Sequence, residues 1–364
     1  MKILIAGDWH SEVHEETVFQ AFRQLGHEPL RFAWHEYFEP RDALGKIGLL
    51  LLKAQNKYMF GPRVDQLNHD LVGQVTAERP ELLFAYGGSH VYPDTLRLIR
   101  RVCPQTILIS YNNDDPFSPL YPKWKWRHFL AGVPEYDLVL AYRLHNLVEF
   151  RTAGANRVEL LRSWFVPERN RPVDLTEEDR KRYQCDVVFV GHYEDDERVE
   201  YLRAVVRAGY KLRIWGPGYD WDPAIKHIPE LKDQVPVRLV WGEDYNKALC
   251  GAKIALCFLS KLNRDTYTRR CFEIPASGVF LLSSHSPDLE SMFVAGEEAE
   301  YFHSVEGMID KIRVYLDDDQ RRRNVASAGR TKVVAAGHDV RSRMSSLLQM
   351  VHEINKVSGN AQLN

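Results

Sequence analysis

Short apolar runs that close on a glycine or a small polar residue alternate in this chain with stretches of helical period, and the series starts twice. The first series opens with residues 2–6, which run into Gly7, Asp8, Trp9 and His10. A helix is expected over residues 12–25, closed by Gly26, and a second strand over 28–33. Residues 40–79 are mostly helical by pattern. Residues 81–86 then read as a strand ending at Gly87 and Gly88. A helix over 93–102 leads to a strand over 106–111 that ends in Asn112, Asn113, Asp114 and Asp115. A strand at 137–141, a helix at 144–153 and a strand at 158–161 complete this half. Strands separated by helical stretches form parallel, doubly wound sheets with helices on both faces.

The second series begins at residue 185, after a proline-rich, charged stretch. Strands are expected at 185–190 before Gly191, at 210–215 before Gly216, at 237–241 before Gly242, and at 253–259 before a polar loop. Helices are expected up to residue 208, at 244–250, 305–316 and 318–335. A last helix over 338–357 carries Met344, Leu347, Leu348, Val351 and Ile354 at helical period. The expected domains are an N-terminal Rossmann-like unit over 1–165, a linker over 166–182, and a C-terminal Rossmann-like unit over 183–337. Residues 338–364 should form a helix packing back towards the N-terminal unit. The expected fold class is α/β, with two doubly wound domains facing across a cleft.

At 364 residues the chain is long enough for two domains of ordinary size. A formal net charge of −2 gives no global field favouring nucleic acid or an anionic membrane. The apolar opening meets Asp8 too early for a signal peptide and reads as a buried strand. The longest apolar run, 47–52, is too short to span a bilayer. Five cysteines without a C-x-x-C pair read as reduced core thiols of a cytoplasmic protein, not as a disulfide framework or metal site.

Open α/β sheets bind ligands at the carboxyl ends of their strands. Here those ends carry Gly7, Gly87, Asp114, Gly191, Gly216 and Asn263, a set suited to phosphate and sugar. The most informative stretch is 266–282. Arg270 and Glu273 are three residues apart, which puts them on one face of a helix. Pro275 suits a first turn better than a helix interior. The expected geometry is an arginine-bearing loop, a short helix holding Glu273 near its start, Gly278 closing it, and a buried strand. Cations beside a helix N-terminus make an anion site. The competing reading is a surface helix with a solvated Arg–Glu pair.

Residues 185–350 resemble the CgeB-like glycosyltransferases, a branch of the GT-B fold close to the family 1 and family 4 transferases. The residues that carry this are Phe189-Val190-Gly191, Trp215-Gly216, Asn263-Arg264-Asp265, Arg270-x-Phe272-Glu273-Ile274-Pro275-Ala276-x-Gly278, Glu297-x-x-x-Tyr301-Phe302, and Gly329. In the N-terminal half the resemblance rests on strand order and on Asn113-Asp114-Asp115-Pro116. It implies that Glu273 binds the ribose hydroxyls of a nucleotide-sugar donor. It also implies that Arg270 and the loop Asn263–Asp265 lie beside the diphosphate and sugar, with Asp265 where the family usually has glutamate. The resemblance implies hexosyl transfer without a divalent metal. The chemistry is compatible: a carboxylate accepts two hydrogen bonds from a vicinal diol, and arginine offers forked donors to phosphate.

Lys261, Arg264 and Thr268 complete the expected donor set, with a solvated loop as the alternative. His192 follows Gly191 and is read as a phosphate or sugar contact. On the acceptor side, His10 is a candidate general base. Asp114 and Asp115 are candidate catalytic or sugar-contacting groups, against a turn-forming role for Asp-Asp-Pro. The tryptophans Trp124 and Trp126 offer stacking surfaces or simple packing. The expected function is metal-independent transfer of a sugar from a nucleoside-diphosphate sugar to an acceptor hydroxyl on a glycan, protein or small molecule. A nucleotide-sugar epimerase or hydrolase of the same fold, and a non-catalytic coat or assembly protein, are the alternatives.

Overall fold

The computed structural model describes residues 1–40 and 45–361, with side chains through residue 354. The chain divides into two compact units, Met1–Ser163 joined by the C-terminal helix, and Trp164–Asp339.

The first unit holds a six-stranded sheet: β1 (Lys2–Gly7), β2 (Glu28–Ala33), β3 (Leu82–Tyr86), β4 (Ile107–Asn112), β5 (Leu138–Ala141) and β6 (Val158–Leu160). Their order is β2-β1-β3-β4-β5-β6, and every pairing is parallel. Ile3 to Ala6 are fully buried because helices cover both faces, so the strand reads as an unbroken apolar run. The connecting helices are α1 (Glu15–Gln24), α2 (Lys46–Tyr58), α3 (Pro62–Glu78), α4 (Pro93–Val102), α5 (Arg127–Gly132) and α6 (Asn146–Thr152). The helical pattern expected over 40–79 resolves into α2 and α3, and residues 41–44 lie outside the described residues.

The second unit holds five parallel strands: β7 (Cys185–Val190), β8 (Leu212–Trp215), β9 (Ala252–Cys257), β10 (Phe280–Ser284) and β11 (Glu300–Phe302), in the order β11-β10-β9-β7-β8. Its helices are α7 (Glu177–Tyr183), α8 (Arg198–Arg207), α9 (Gly218–Ile225), α10 (Gly242–Cys250), α11 (Arg270–Ala276), α12 (Pro287–Glu290), α13 (Val305–Asp317) and α14 (Asp319–Ala335). The stretch expected as a linker, 166–182, falls within this unit and contributes α7. A capping box of Thr176 and Asp179 starts that helix, so its charges serve a helix start and not a solvated tether. The strand expected at 237–241 is absent. Only an isolated bridge from Trp215 to Arg238 forms there, beyond the edge strand β8. The short edge strand β11 is not among the expected strands.

The last helix, α15 (Val340–Ala361), packs on α1 in the first unit and buries Met344, Leu347 and Val351. Residues 362–364 of the expected C-terminal helix lie outside the described residues. No described helix is long and apolar enough to cross a membrane.

Candidate functional site

At the carboxyl ends of β7 and β8, Gly191 and Gly216 lie back to back. A Cβ on Gly216 would stand 2.2 Å from the Gly191 carbonyl oxygen and 2.8 Å from Trp221 Nε1. Trp221 Nε1 donates to that same carbonyl at 2.8 Å. A Cβ on Gly191 would meet Arg270 Nη2 at 2.9 Å. Both glycines are therefore required by close approach, and Gly191 lets the Arg270 guanidinium settle against the end of β7.

Helix α11 explains how Arg270 and Glu273 are held. It has seven residues, starts after Arg269 and ends before Gly278, whose φ is +75°. Pro275 sits near its end and not in its first turn, which is tolerated because the helix stops one residue later. Glu273 is 7% exposed. Its Oε2 accepts a hydrogen bond from Tyr245 Oη at 2.6 Å. Burial and the adjacent Glu273 carboxylate push the Tyr245 phenol well above its usual range, so it remains a donor. Arg270 forms no ion pair with Glu273 among the described residues. Its Nε is buried and has no hydrogen-bond partner among them. Burial opposes its charge, but the neighbouring Tyr245, Cys257 and Glu273 groups outweigh that and raise its pKa. Ser277 Oγ lies 2.9 Å from both the Glu273 carbonyl oxygen and Asn246 Oδ1, tying the end of α11 to α10.

The other expected donor residues are placed differently. Thr268 is buried, with Oγ1 3.4 Å from Cys257 Sγ, and Cys257 Sγ is 3.7 Å from Cys271 Sγ. The Thr268 hydroxyl thus belongs to the packed back of α11. All five cysteines are free thiols. Lys261 is at the surface, paired with Glu197 at 2.7 Å. His192 is 65% exposed and sits 3.2 Å from Asp220 Oδ2. Arg264 has a φ of +47°, and the Asp265 N–H donates to the Ser260 carbonyl at 2.9 Å, so both lie in a turned loop ahead of α11. The structure brings Gly191, Gly216, Arg270 and Glu273 together, and adds Tyr245, which has no local signature in the sequence.

In the first unit, Asp115 is fully buried. Its Oδ1 accepts from the Phe117 N–H and from Asn146 Nδ2, both at 3.0 Å, and Oδ2 lies 3.3 Å from His145 Nε2. A carboxylate sealed in this way meets its protein neighbours and not solvent. The ligand atoms of Asp115, His145 and Glu149 lie within 4.8 Å of one another, the one grouping among the described residues that could hold a metal ion. Asn146 Nδ2 bridges two of the three, donating to Asp115 Oδ1 at 3.0 Å and to Glu149 Oε2 at 2.8 Å. Asp114 is half-buried, and its N–H donates to Asn112 Oδ1 at 3.0 Å. His10 is exposed in the loop after β1.

That loop holds a group the sequence did not reveal. Glu15, at the start of α1, folds back so that its Oε1 accepts the Asp8 N–H at 2.9 Å. Gly7 makes room, since a Cβ there would stand 2.3 Å from Glu15 Oε1. Burial pushes the Glu15 carboxyl up to about 7 from 4.5, against backbone hydrogen bonds that pull it down. The folded state thus keeps a proton that the unfolded chain releases. Stability from this group is full below pH 4.5 and is lost as the pH rises to about 7. The loss is about 3 kcal/mol. The Glu15→Gln variant should flatten that decline in urea unfolding compared at about pH 5 and about pH 8. An unchanged decline would assign the proton elsewhere.

Two parallel α/β units, each with its strand ends supplied with glycine and polar groups, make the fold that of the GT-B glycosyltransferases. The family described as glycosyl transferase-like matches residues 198–349, a span that includes Tyr245, Arg270 and Glu273. Sucrose-phosphate synthase from Thermosynechococcus elongatus is similar at a TM-score of 0.68 and 13% identity, covering 97% of this chain and 99% of its own. Anabaena HepE in complex with UDP-glucose is similar at 0.66 and 12%, covering 97% and 100%. A glycosyltransferase from Rickettsia africae is similar at 0.65 and 12%, covering 98% of each chain. No curated protein sequence matches the chain.

Proposed function

We propose that this chain is a CgeB-like, metal-independent glycosyltransferase that moves a hexosyl group from a nucleoside-diphosphate sugar to an acceptor hydroxyl. The observation that carries the reading is Arg270, whose buried Nε has no partner among the described residues and whose guanidinium lies against Gly191. Buried donors are nearly always hydrogen-bonded, and a fork of guanidinium donors beside a bare glycine backbone suits a diphosphate. Glu273, one helical turn on, takes the ribose hydroxyls. Asp265, Arg264 and His192 are assigned to the sugar and phosphates.

In the reaction the acceptor oxygen forms a bond to the anomeric carbon. The bond from that carbon to the diphosphate oxygen breaks, and the nucleoside diphosphate leaves with the electron pair. Arg270 offsets the charge that develops on it. The N-terminal unit is the acceptor domain. Its proton-accepting candidates are His10 and Asp114, with Asp115 acting through His145. The UDP-glucose bound by HepE supports this donor class.

A thermal-shift panel of nucleoside diphosphates tests the reading. At least one should raise Tm, because a ligand at a hundred times its Kd stabilises the native state by about 2.7 kcal/mol. No shift with any of them contradicts the proposal. Turnover of the donor to a free sugar or an epimer with no acceptor present would replace transfer by hydrolysis or epimerisation.

A further inference from the structure

The second unit carries another concave surface at the opposite end of its sheet. A pocket of about 480 Å³ opens at the amino-terminal ends of β9 and β10, where Lys253 and Val279 line it. Gly191 and Gly216 close the carboxyl ends of β7 and β8, so this pocket is separate from the nucleotide residues.

One wall is a face of α14. Arg322, Arg323, Ala326, Ser327 and Arg330 all line the pocket, at a spacing that keeps them on one side of the helix. With Lys253 they bring four cationic side chains to the pocket, and its lining includes no carboxylate. Among the described residues, Asp319 and Asp186 are the carboxylates that pair with them. Asp319 pairs with both Arg322 and Arg323, and Asp186 pairs with Lys253 at 2.8 Å. Arg322 is fixed, 6% exposed, with Nη1 donating to the Tyr315 carbonyl at 2.9 Å. The Arg330 side chain has neither an ion pair nor a hydrogen bond among the described residues. Gly278 shapes the rim, because a Cβ there would press on Pro172 Cγ at 3.1 Å, with Arg330 Cδ at 3.9 Å.

We propose that this pocket is a second anion site, which binds the phosphoryl group of a small phosphorylated molecule through Lys253, Arg323 and Arg330. Planar guanidinium forks match phosphate oxygens, and the rigid Arg322 gives the site a fixed wall. The volume exceeds what inorganic phosphate fills and lies in the range of small-ligand pockets, so a phosphoryl group on a sugar-sized carrier fits it.

The test is calorimetric titration of the full chain with glucose 6-phosphate, with inorganic phosphate and with glucose. Glucose 6-phosphate should bind saturably and glucose should not. Comparing it with inorganic phosphate shows whether the carrier adds affinity. The double variant Arg323→Ala/Arg330→Ala should weaken glucose 6-phosphate binding at least tenfold, and Arg270→Ala should leave it unchanged. Both substituted arginines in the double variant are exposed, so the fold and nucleoside-diphosphate binding should persist. Binding that survives the double variant but is lost in Arg270→Ala would assign the anion to the nucleotide residues and overturn the proposal. No saturable binding of either phosphate up to about 10 mM would overturn it too. Binding of the nucleoside diphosphate that raises Tm most, read separately through Arg270 and Glu273, decides the proposed function independently of these outcomes.

Discussion

Nucleoside diphosphate should bind the Glu273→Ala variant at least a hundredfold more weakly than the wild type. Glu273 is nearly sealed from solvent, and Tyr245 Oη holds one carboxylate oxygen at 2.6 Å. The carboxylate is therefore fixed before a ligand arrives, and little side-chain entropy is lost on binding. Hydrogen bonds to a charged group contribute about 1.5–3 kcal/mol each, so losing two from a ribose diol amounts to about 3–6 kcal/mol. That is a factor of a hundred or more in Kd. Because removing a buried carboxylate also leaves Tyr245 without its acceptor, Glu273→Gln is the companion variant. Its amide oxygen can still accept from Tyr245, so it should keep Tm near wild type while weakening the nucleotide. Arg270→Ala should weaken the diphosphate more than the bare nucleoside. Titration calorimetry measures all three, and unchanged affinity in Glu273→Ala would remove the ribose assignment.

The second large effect is on stability. Gly216→Ala places a methyl group 2.2 Å from a backbone oxygen of Gly191 and 2.8 Å from Trp221 Nε1. Neither neighbour is the loose end of a flexible side chain. The ends of β7 and β8 must separate, and the Trp221 hydrogen bond to Gly191 is strained with them. Overpacking of this kind costs about 2–4 kcal/mol once the disturbed hydrogen bond is included. Gly73→Ala is the contrasting substitution, in the exposed part of α3, where a Cβ meets nothing within 4 Å. It should be neutral or stabilise by up to about 1 kcal/mol, as alanine does over glycine in a helix. Urea unfolding of the two variants compares them directly. Equal midpoints would mean that the β7–β8 ends are not closely packed.

The central strands were legible because each is buried on both faces and reads as an apolar run closed by a turn residue, as at Ile3–Ala6 with Gly7 and Val187–Val190 with Gly191. The margins were not. β11 lies at the sheet edge and is not among the expected strands, and 237–241 has strand-like composition but makes a single bridge at the opposite edge. In the candidate site, Arg270 and Glu273 could be paired from their spacing, and Gly191 and Gly216 from their places after strands. The orientation of Thr268 could not be read, because Cys257, which fixes it, comes from the end of β9, outside the loop that carries Thr268. Tyr245 lies 28 positions before Glu273, and His145 lies 30 after Asp115; such partners meet only through the fold. Glu15 was unreadable for a related reason. An acidic residue in a first helical turn is ordinary, and only its return to the Asp8 N–H under burial makes it unusual.

The claim that Glu273 holds the ribose of a nucleoside diphosphate is tested most directly by a thermodynamic cycle. The diphosphate that raises Tm most and its 2′,3′-dideoxy analogue are titrated into wild type and Glu273→Ala. The wild type should prefer the intact ribose by at least about a hundredfold, and Glu273→Ala should bind the two alike. The same preference in both proteins would contradict the assignment.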